Sequence, residues 1–342
     1  MDLGEIIEKK RIDLESLQGK TLAVDGYNSL YQFLSIIRGG TGELLTDRAG
    51  RVTSHLSGLF YRTVNMIEKG IRVVYVFDGK PPAIKEIEIA RRMRIKEEAL
   101  IHYEEALSRG AMDEARRYAQ MTSRLKDEMV GDAKRLLDCM GIPWVQAPSE
   151  GEAQAAYIVS KMELWAVASQ DYDSLLFGAP KLVRNLAVTG KRKLSRRNVY
   201  VEVFPELVEL KKVLSNLGLT REQLIDLAIL LGTDYNPNGF KGIGPKTALK
   251  LVREHGKLDE IIKSLPETVD VKELDRVKVA FLNPKVTDQY AIEWRKPDVD
   301  AVVHFLVRER DFSEDRVANA LDRILKSWEL GSRVTLEKFF GK

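Results

Sequence analysis

Carboxylates follow the apolar runs of this sequence in a repeated pattern. The stretch 169–178 reads SQDYDSLLFG, and it places Asp171 and Asp173 two residues apart just after the apolar run 164–168. Three other apolar runs also end in an acid, namely Asp25, Asp78 and Glu150. A second acid, Glu152, lies two residues after Glu150. The carboxyl ends of parallel strands share one edge of a sheet, so these acids are expected to converge there.

Converging carboxylates repel one another unless cations offset their charge, so the pattern favours a site for divalent ions. Oxygen ligands suit Mg²⁺, and a chain with 4 His and 1 Cys offers little for zinc. Two ions about 4 Å apart are the usual device for phosphodiester hydrolysis. Each acid alone also has a local explanation: a turn residue at Asp25 and Asp78, a capping box of Ser149 with Glu152, and a helix-dipole contact at Asp173.

The stretch 239–252 carries a second motif, GFKGIGPKTALKLV. Gly242 and Gly244 flank a tight turn at the start of a helix, where backbone N–H groups bind a phosphate without reading a base. Lys241 and Lys246 add positive charge. The pattern is that of a helix–hairpin–helix that binds DNA phosphates, and simple packing of two helices is the alternative.

A highly charged insert spans residues 83–138. Within it, Lys85 and Arg92 are seven residues apart, which places them on one face of a predicted helix. A solvated face is the ordinary explanation of such charge, and a cationic face that holds a phosphate over the acids is the alternative. Tyr31 either packs in the core or stacks on a base.

The elements that must position these residues alternate between strands and helices. Short apolar runs rich in β-formers occur at 21–25, 72–78, 143–150, 164–171 and 181–186, mostly with helical patterns between them. This alternation predicts a parallel sheet covered on both faces. The insert is predicted to be helical, with breaks near Gly110 and Gly131. From Thr220, a capping box with Gln223 and a stop at Gly232 begin a helical subdomain packed on the α/β body.

The composition is that of a globular protein, with 44% apolar and 31% charged residues among 342. The net charge of +3, from 54 basic and 51 acidic residues, is too small by itself to indicate nucleic acid. No apolar run has the length of a membrane span, the charged N-terminus is unlike a signal peptide, and Cys139 has no second cysteine to pair with. We therefore expect a cytoplasmic monomer with no membrane partner.

With these motifs, the sequence resembles the archaeal flap endonucleases, a family of structure-specific 5′ nucleases. The matching segments follow the family order: VDGYNSLYQFL, SHLSGLFYRT, VYVFDGKPP, GIPWVQAPSEGEAQAAY, ASQDYDSLLFG and LGTDYNPNGFKGIGPKTAL. The resemblance implies an α/β, parallel-sheet nuclease body over 1–219 with a helical arch at about 80–130. It also implies a helical DNA-binding subdomain over 220–325, with the helix–hairpin–helix, and a clamp-binding tail over 326–342.

The resemblance assigns roles to individual residues. Lys85 and Arg92 correspond to the basic pair that contacts the scissile phosphate, and Tyr31 corresponds to the aromatic residue that stacks beside it. Asp234, in GTDYNPNG, is found only through the family pattern. It completes seven metal ligands for two Mg²⁺ ions, which are Asp25, Asp78, Glu150, Glu152, Asp171, Asp173 and Asp234.

The resemblance also implies three further contacts. The hairpin 241–247 would bind duplex DNA, with a K⁺ ion held by backbone carbonyls, and residues 54–63 lie where the family holds a one-nucleotide 3′ flap. A sliding clamp would bind the tail, although Arg333 stands at the usual glutamine position. The tail residues that would contact the clamp are Leu336, Phe339 and Phe340.

We therefore expect an Mg²⁺-dependent 5′ flap endonuclease with 5′–3′ exonuclease activity, acting on branched DNA in replication and repair. Two alternatives remain open. The segment DYDSL also fits a phosphatase signature in which Asp171 forms an aspartyl phosphate. A non-catalytic scaffold that binds DNA junctions and recruits the clamp is the other alternative, and it would require defects in the acid set.

Overall fold

The computed structural model describes the backbone of residues 3–40, 42–122, 124–161, 164–188, 190–193, 200–265 and 271–340, and it describes the side chains of these residues except at 87, 188, 190–193, 200–201 and 330–340. The strands within these ranges are β1 (Lys10–Arg11), β2 (Thr21–Asp25), β3 (Arg72–Phe77), β4 (Trp144–Gln146), β5 (Ala166–Ala168), β6 (Lys181–Arg184), β7 (Gly190–Lys193), β8 (Tyr200–Val203) and β9 (Glu206–Glu209). The five predicted apolar runs correspond to β2, β3, β4, β5 and β6.

One sheet contains seven of these strands in the order β1-β9-β6-β5-β2-β3-β4, and β7 pairs with β8 in a separate hairpin. The strands from β6 to β4 run parallel, as predicted. At one edge β9 pairs antiparallel with both β6 and β1, so β9 runs opposite to the parallel strands, which the strand pattern did not predict. The chain passes from β6 to β9 through a 3-10 turn and the β7–β8 hairpin, whereas a parallel return requires a longer crossover connection.

The helices connect and cover these strands. Their bounds are α1 (Gly26–Ile36), α2 (Ser54–Glu68), α3 (Glu86–Ser108), α4 (Met112–Met121), α5 (Asp127–Cys139), α6 (Gly151–Lys161), α7 (Asp173–Leu176), α8 (Leu210–Leu217), α9 (Arg221–Leu231), α10 (Pro245–His255), α11 (Leu258–Ser264), α12 (Val271–Leu282), α13 (Val299–Val303) and α14 (Glu314–Phe340). The predicted start and stop of α9 are confirmed, because Thr220 and Gln223 form the capping box and Gly232 ends the helix.

Two hydrophobic cores lie on opposite faces of the sheet, because alternate side chains of a strand face opposite sides. Val74 and Val76 of β3 pack with helices α6 to α12 on one face. Val73 and Tyr75 of the same strand pack with α1, α2, α5, α13 and α14 on the other face. Helices of the region 220–325 therefore contribute to both faces, and the domain boundaries derived from the sequence stay a prediction.

The charged insert forms α3, α4 and most of α5. The predicted break at Gly110 is confirmed, and this residue has a φ of 69° between α3 and α4. The predicted break at Gly131 is wrong, because this residue lies inside α5 and the second break falls between α4 and α5. A single glycine weakens a helix without ending it. Within the described ranges, no helix is both long enough and apolar enough to cross a membrane.

Candidate active site

The carboxyl edge of the parallel strands carries six of the predicted acids. The strands β5, β2, β3 and β4 are neighbours, and the acids follow them as Asp171 and Asp173, Asp25, Asp78, and Glu150 and Glu152. The seventh acid, Asp234, lies in the loop after α9, which contacts α7 at the same edge. Acids that are more than 200 residues apart in the sequence thus belong to one cluster, which we call the acid cluster.

Asp25 has both a local role and a place in the acid cluster. One oxygen accepts the backbone N–H of Asn28 at 2.9 Å, and this contact caps α1. The other oxygen accepts a hydrogen bond from Ser169 Oγ at 3.2 Å. The side-chain amide of Asn28 then donates to Asp171 Oδ2 at 2.8 Å. The first turn of α1 therefore connects the carboxylates at the ends of β2 and β5.

Asp78 is fixed by a close approach of backbone segments. Its Oδ1 atom accepts the backbone N–H of Gly151, the first residue of α6, at 2.6 Å. A Cβ atom at Gly151 would lie 2.6 Å from the same oxygen, and a Cβ atom at Gly79 would lie 2.2 Å from the carbonyl oxygen of Ala147. Position 79 therefore requires glycine, whereas a side chain at position 151 would displace the Asp78 carboxylate. A carboxylate at a helix N-terminus is also stabilised in its charged form by the helix dipole.

Glu152 contacts α7 instead of capping its own helix. Its Oε1 atom accepts a hydrogen bond from Ser174 Oγ at 2.8 Å. Ser149 Oγ donates to the carbonyl of Lys80 at 3.2 Å, so these two side chains do not form the capping box that their spacing permits. Asp173 is the first residue of α7, and its charge raises the pKa of Glu152 together with burial.

Two cations close the acid cluster on the side of α3. Lys85 Nζ lies 2.8 Å from Glu150 Oε2 and 3.1 Å from Asp234 Oδ2. Arg92 Nη2 donates to the other oxygen of Asp234. Lys85 ends a 3-10 turn, Ala83–Lys85, before α3 begins. The prediction that Lys85 and Arg92 share one face of a single helix is therefore wrong. The two side chains nevertheless meet at the same carboxylate.

Burial and mutual repulsion make most of the carboxyls poor acids. Burial, followed by the charges of neighbouring acids, raises the pKa of Asp25 to about 8, of Asp173 to about 7, of Asp78 to about 6 and of Glu152 well above its ordinary value. Burial acts on Asp234 in the same direction, but Lys85 and Arg92 outweigh it and hold the pKa of this group below its ordinary value. The charged form of the cluster therefore requires more positive charge than two side chains supply.

The chemistry of the donor set fits Mg²⁺, because every candidate ligand atom is a carboxylate oxygen. Among the residues that the structure describes, no three Asp, Glu, His or Cys side chains already surround one point as a ligand shell. Protein donors hold the oxygens instead, namely Lys85 Nζ, Asn28 Nδ2 and the backbone N–H of Gly151. A hard dication would compete with these donors for the same oxygens.

Tyr31 lies on α1 and faces α3. Its ring centroid is 4.5 Å from the ammonium group of Lys96, a distance at which a cation and an aromatic face attract. The side chain is half-buried, so part of the ring stays accessible at the surface between the two helices. Burial raises the pKa of the phenol, which is therefore uncharged at neutral pH.

The predicted phosphate-binding hairpin joins α9 to α10 and is open to solvent. Gly242 has a φ of 79°, and Gly244 is the N-cap residue of α10. A Cβ atom at either glycine would meet nothing within 4 Å, so a phosphate has room to approach the backbone. Lys241 and Lys246 are exposed beside the turn. Asp234 lies in the same connection, so one loop joins the hairpin to the acid cluster.

The predicted clamp-binding residues lie in the last turns of α14, outside the part of the chain whose side chains are described. They are Leu336, Phe339 and Phe340.

The region predicted to hold a 3′ flap, residues 54–63, forms the first part of α2. Its His55 is fully buried, and burial lowers its pKa to about 4, so the imidazole is neutral near neutral pH.

Sequence reasoning missed the polar residues that hold the carboxylates. Asn28, Ser169 and Ser174 donate to acids of the cluster. Asn28 offered a signal, because it lies one helical turn after an acid that begins a helix. Glu88, which contacts Arg92, offered none, because acids are frequent throughout the insert.

Comparison with known proteins agrees with this geometry. Residues 3–99 match the XPG N-terminal domain, and residues 141–234 match the XPG I-region. A protein named flap endonuclease 1 from Staphylothermus marinus is 60% identical over 316 residues, which cover 92% of this chain and 90% of that protein.

Solved structures give the same result. Flap endonuclease-1 from Methanococcus jannaschii matches with a TM-score of 0.76 and 44% identity over 95% of this chain and 98% of that one. The catalytic core of Rad2 in complex with DNA substrate matches with a TM-score of 0.68 and 26% identity, over 94% and 97%. The predicted α/β nuclease fold is confirmed. The chain belongs to the flap endonuclease family of XPG-type nucleases.

Proposed function

We propose that this nuclease hydrolyses a phosphodiester bond of branched DNA where a 5′ flap meets the duplex, and that it also acts as a 5′–3′ exonuclease. The observation that carries the proposal is the convergence of seven carboxylates at one sheet edge, where Lys85 and Arg92 contact Asp234. A relative that is 60% identical over 92% of this chain carries the name flap endonuclease 1, which supports the choice of substrate.

The acid cluster is proposed to hold two Mg²⁺ ions. Its ligands would come from the seven carboxylates Asp25, Asp78, Glu150, Glu152, Asp171, Asp173 and Asp234. When bound, Mg²⁺ supplies Lewis-acid activation of the phosphate and of the attacking water. Asn28, Ser174 and the backbone N–H of Gly151 hold the carboxylates near one another, and the ions would replace some of these hydrogen bonds when they bind.

Lys85 and Arg92 are proposed to bind the scissile phosphate and the charge that develops on it. Both now donate to Asp234, and a phosphate that enters the site offers the same kind of acceptor. The guanidinium can contact two phosphate oxygens at once, whereas the ammonium acts as a point charge. Tyr31 offers the exposed part of its ring to a neighbouring base.

The hairpin is proposed to hold the duplex by its backbone phosphates. Exposed Lys241 and Lys246 and the open backbone at Gly242 and Gly244 support this role, and a K⁺ ion held by backbone carbonyls would complete the contact. Because Asp234 lies in the same loop, duplex binding there would fix the distance from the contacted phosphate to the acid cluster.

The remaining proposals concern partners and location. We propose a monomer that works in the cytoplasm and binds a sliding clamp through Leu336, Phe339 and Phe340, with Arg333 in the usual glutamine position weakening the contact. Calorimetry of a peptide of residues 326–342 with the clamp tests this point. Binding is expected, and the absence of any heat of binding would contradict the proposal.

The test of the function is cleavage of an end-labelled DNA with both a 5′ and a one-nucleotide 3′ flap, with and without Mg²⁺. A single main cut near the junction is expected, with a 5′-phosphate and a 3′-hydroxyl on the products and no cleavage in EDTA. Equal cleavage in EDTA, or cuts spread along the flap with no preference for the junction, would contradict the proposal.

A further inference from the structure

Glu88 is a buried acid in the first turn of α3. Its side chain is 2% exposed, although it lies on the helix that presents cations to the acid cluster. A carboxylate close to the path of an anionic substrate opposes binding by repulsion, so its presence here calls for a compensating role. Exposed ion pairs along a helix contribute little to stability, but this carboxylate is removed from water.

The carboxylate contacts two guanidinium groups at once. Glu88 Oε1 accepts from Arg92 Nε at 2.7 Å and from Arg91 Nη2 at 2.9 Å, and Oε2 accepts from Arg91 Nε at 2.6 Å. The spacings of three and four residues place these partners on the same side of the helix. Burial acts to raise the pKa of Glu88, but the hydrogen bonds from both arginines outweigh it and hold the pKa below its ordinary value.

The guanidinium of Arg92 is consequently held at two ends. Its Nε atom donates to Glu88 on its own helix, and its Nη2 atom donates to Asp234 across the site. When a phosphate displaces Asp234 from Nη2, the contact at Nε would remain. The guanidinium would then keep its orientation, with Nη2 directed toward the acid cluster.

We propose that Glu88 is a positioning residue that orients Arg92 toward the scissile phosphate. This inference rests on the phosphate-binding role proposed for Arg92. Arg91, whose side chain is half exposed, is the second partner of the Glu88 carboxylate. Because one negative charge is shared by two guanidinium groups, the three residues together keep a net positive charge beside the DNA.

The test is a double-mutant cycle measured by single-turnover cleavage of the flap substrate at saturating enzyme. Glu88→Ala is expected to slow cleavage by about 10- to 100-fold, the usual result of a misplaced catalytic contact, with little change in DNA affinity. Glu88→Gln keeps one acceptor oxygen and is expected to recover part of the rate. In an Arg92→Ala background, Glu88→Ala is expected to have no further effect.

Glu86→Ala is the matched control, because Glu86 is an exposed acid two residues earlier in the same turn. Its cleavage rate is expected to stay within about twofold of the parent. Melting temperatures show whether each variant is folded, and Glu88→Gln carries the test if the alanine variant does not fold. A parental rate in Glu88→Gln together with a parental rate in any folded Glu88→Ala would overturn the inference.

An equal loss from Glu88→Ala with and without Arg92 would also overturn the inference, because the effect would then not pass through that arginine. A parental rate in Arg92→Ala would instead refute the role proposed for Arg92, and the inference about Glu88 with it. A slow Arg92→Ala variant beside parental rates in Glu88→Gln and in any folded Glu88→Ala refutes only the inference about Glu88.

Discussion

At the scale of single residues, the acids of the site are also structural contacts. Asp25 caps α1, Asp78 accepts the N–H of Gly151, and Glu152 accepts from Ser174. These contacts help the chain to fold with repelling carboxylates in one place, because the charges of these three acids are partly offset by nearby donors. Asp171 is the most suitable acid for substitution, because its side chain lies at the exposed rim of the cluster.

Asp171→Ala is expected to reduce flap cleavage by more than about 100-fold. Substitution of a residue that only hydrogen-bonds to a metal ligand usually causes a smaller loss. DNA affinity should change little, because phosphate contacts come from cations elsewhere. Without Mg²⁺ the variant should melt at the same temperature as the parent or higher, since a repelling charge is removed. Asp315→Ala, an exposed acid at the start of α14, is the control. Normal cleavage by Asp171→Ala would refute the assignment.

The raised pKa values predict a pH dependence of stability. The pKa values of Asp78, Asp173 and Asp25 are about 6, 7 and 8 in the folded chain, against an ordinary value of 3.8. Between the ordinary pKa and the raised pKa of each group, the folded state binds more protons than the unfolded state. The free energy of unfolding therefore falls as pH rises through this range.

In EDTA, the melting temperature is therefore expected to be lower at about pH 8.5 than at about pH 5. Mg²⁺ should raise it more at the higher pH, where binding does not have to displace protons. Scanning calorimetry at both pH values checks this. A gain from Mg²⁺ that is equal at the two pH values would contradict the coupling between the acids and the ions.

At the scale of elements, the site is assembled from the ends of rigid segments. The strands supply acids at their carboxyl ends, α3 and the 3-10 turn before it supply the cations, and the loop after α9 supplies Asp234 and the hairpin. Thr233 and Asn236 fix this loop, because their side chains bond at 2.6 Å and the amide of Asn236 donates to Ile229 O at 2.7 Å. The hairpin is therefore anchored to α9.

The hairpin predicts a specific change in salt dependence. Lys241→Ala and Lys246→Ala should each lower the slope of log Kd against log salt by about 0.9, if each lysine neutralises one phosphate. The cleavage rate of bound substrate should stay near that of the parent. Lys250→Ala, one turn further along α10 and paired with Glu254 at 3.6 Å, should leave the slope unchanged. Fluorescence anisotropy over a salt series checks this, and unchanged slopes in both hairpin variants would contradict the contact.

At the scale of the whole molecule, residues 283–298 connect the helices on one face of the sheet with those on the other. Gln154 of α6 accepts the N–H of Thr287 at 2.8 Å and donates to its carbonyl at 2.9 Å. Further along the segment, Trp294 Nε1 donates to Val73 O at 3.0 Å. These contacts attach the segment to α6 and β3, which are two of the elements that carry acids of the site.

Gln154→Leu is expected to lower the free energy of unfolding by about 2–4 kcal/mol, because two backbone groups of Thr287 lose their partner while the volume stays similar. Urea unfolding measures the effect. Ser160→Ala, on the exposed side of α6, should stay within about 0.5 kcal/mol of the parent. A Gln154→Leu variant as stable as the parent would show that the segment does not depend on this contact.

Much of this architecture was predictable from the sequence, for identifiable reasons. β2 and β3 are buried almost throughout, so their apolar runs and the acids that follow them are visible in the sequence. β9 was missed because its direction depends on a connection without a crossover helix. Asp234 was not predictable from spacing, because its place depends on how α9 packs near α7.

Family membership also favours a nuclease over the aspartyl-phosphate and scaffold alternatives.

The central claim is that the seven carboxylates hold divalent ions where DNA is cut. Anomalous diffraction from crystals grown with Mn²⁺ tests it most directly, because Mn²⁺ takes the same oxygen ligands as Mg²⁺ and is visible by its anomalous signal. Two peaks are expected within the acid cluster, bound by oxygens of residues such as Asp78, Glu152 and Asp171. Ordered Mn²⁺ only at other places, in crystals of a preparation that cleaves flap DNA with Mn²⁺, would contradict the claim.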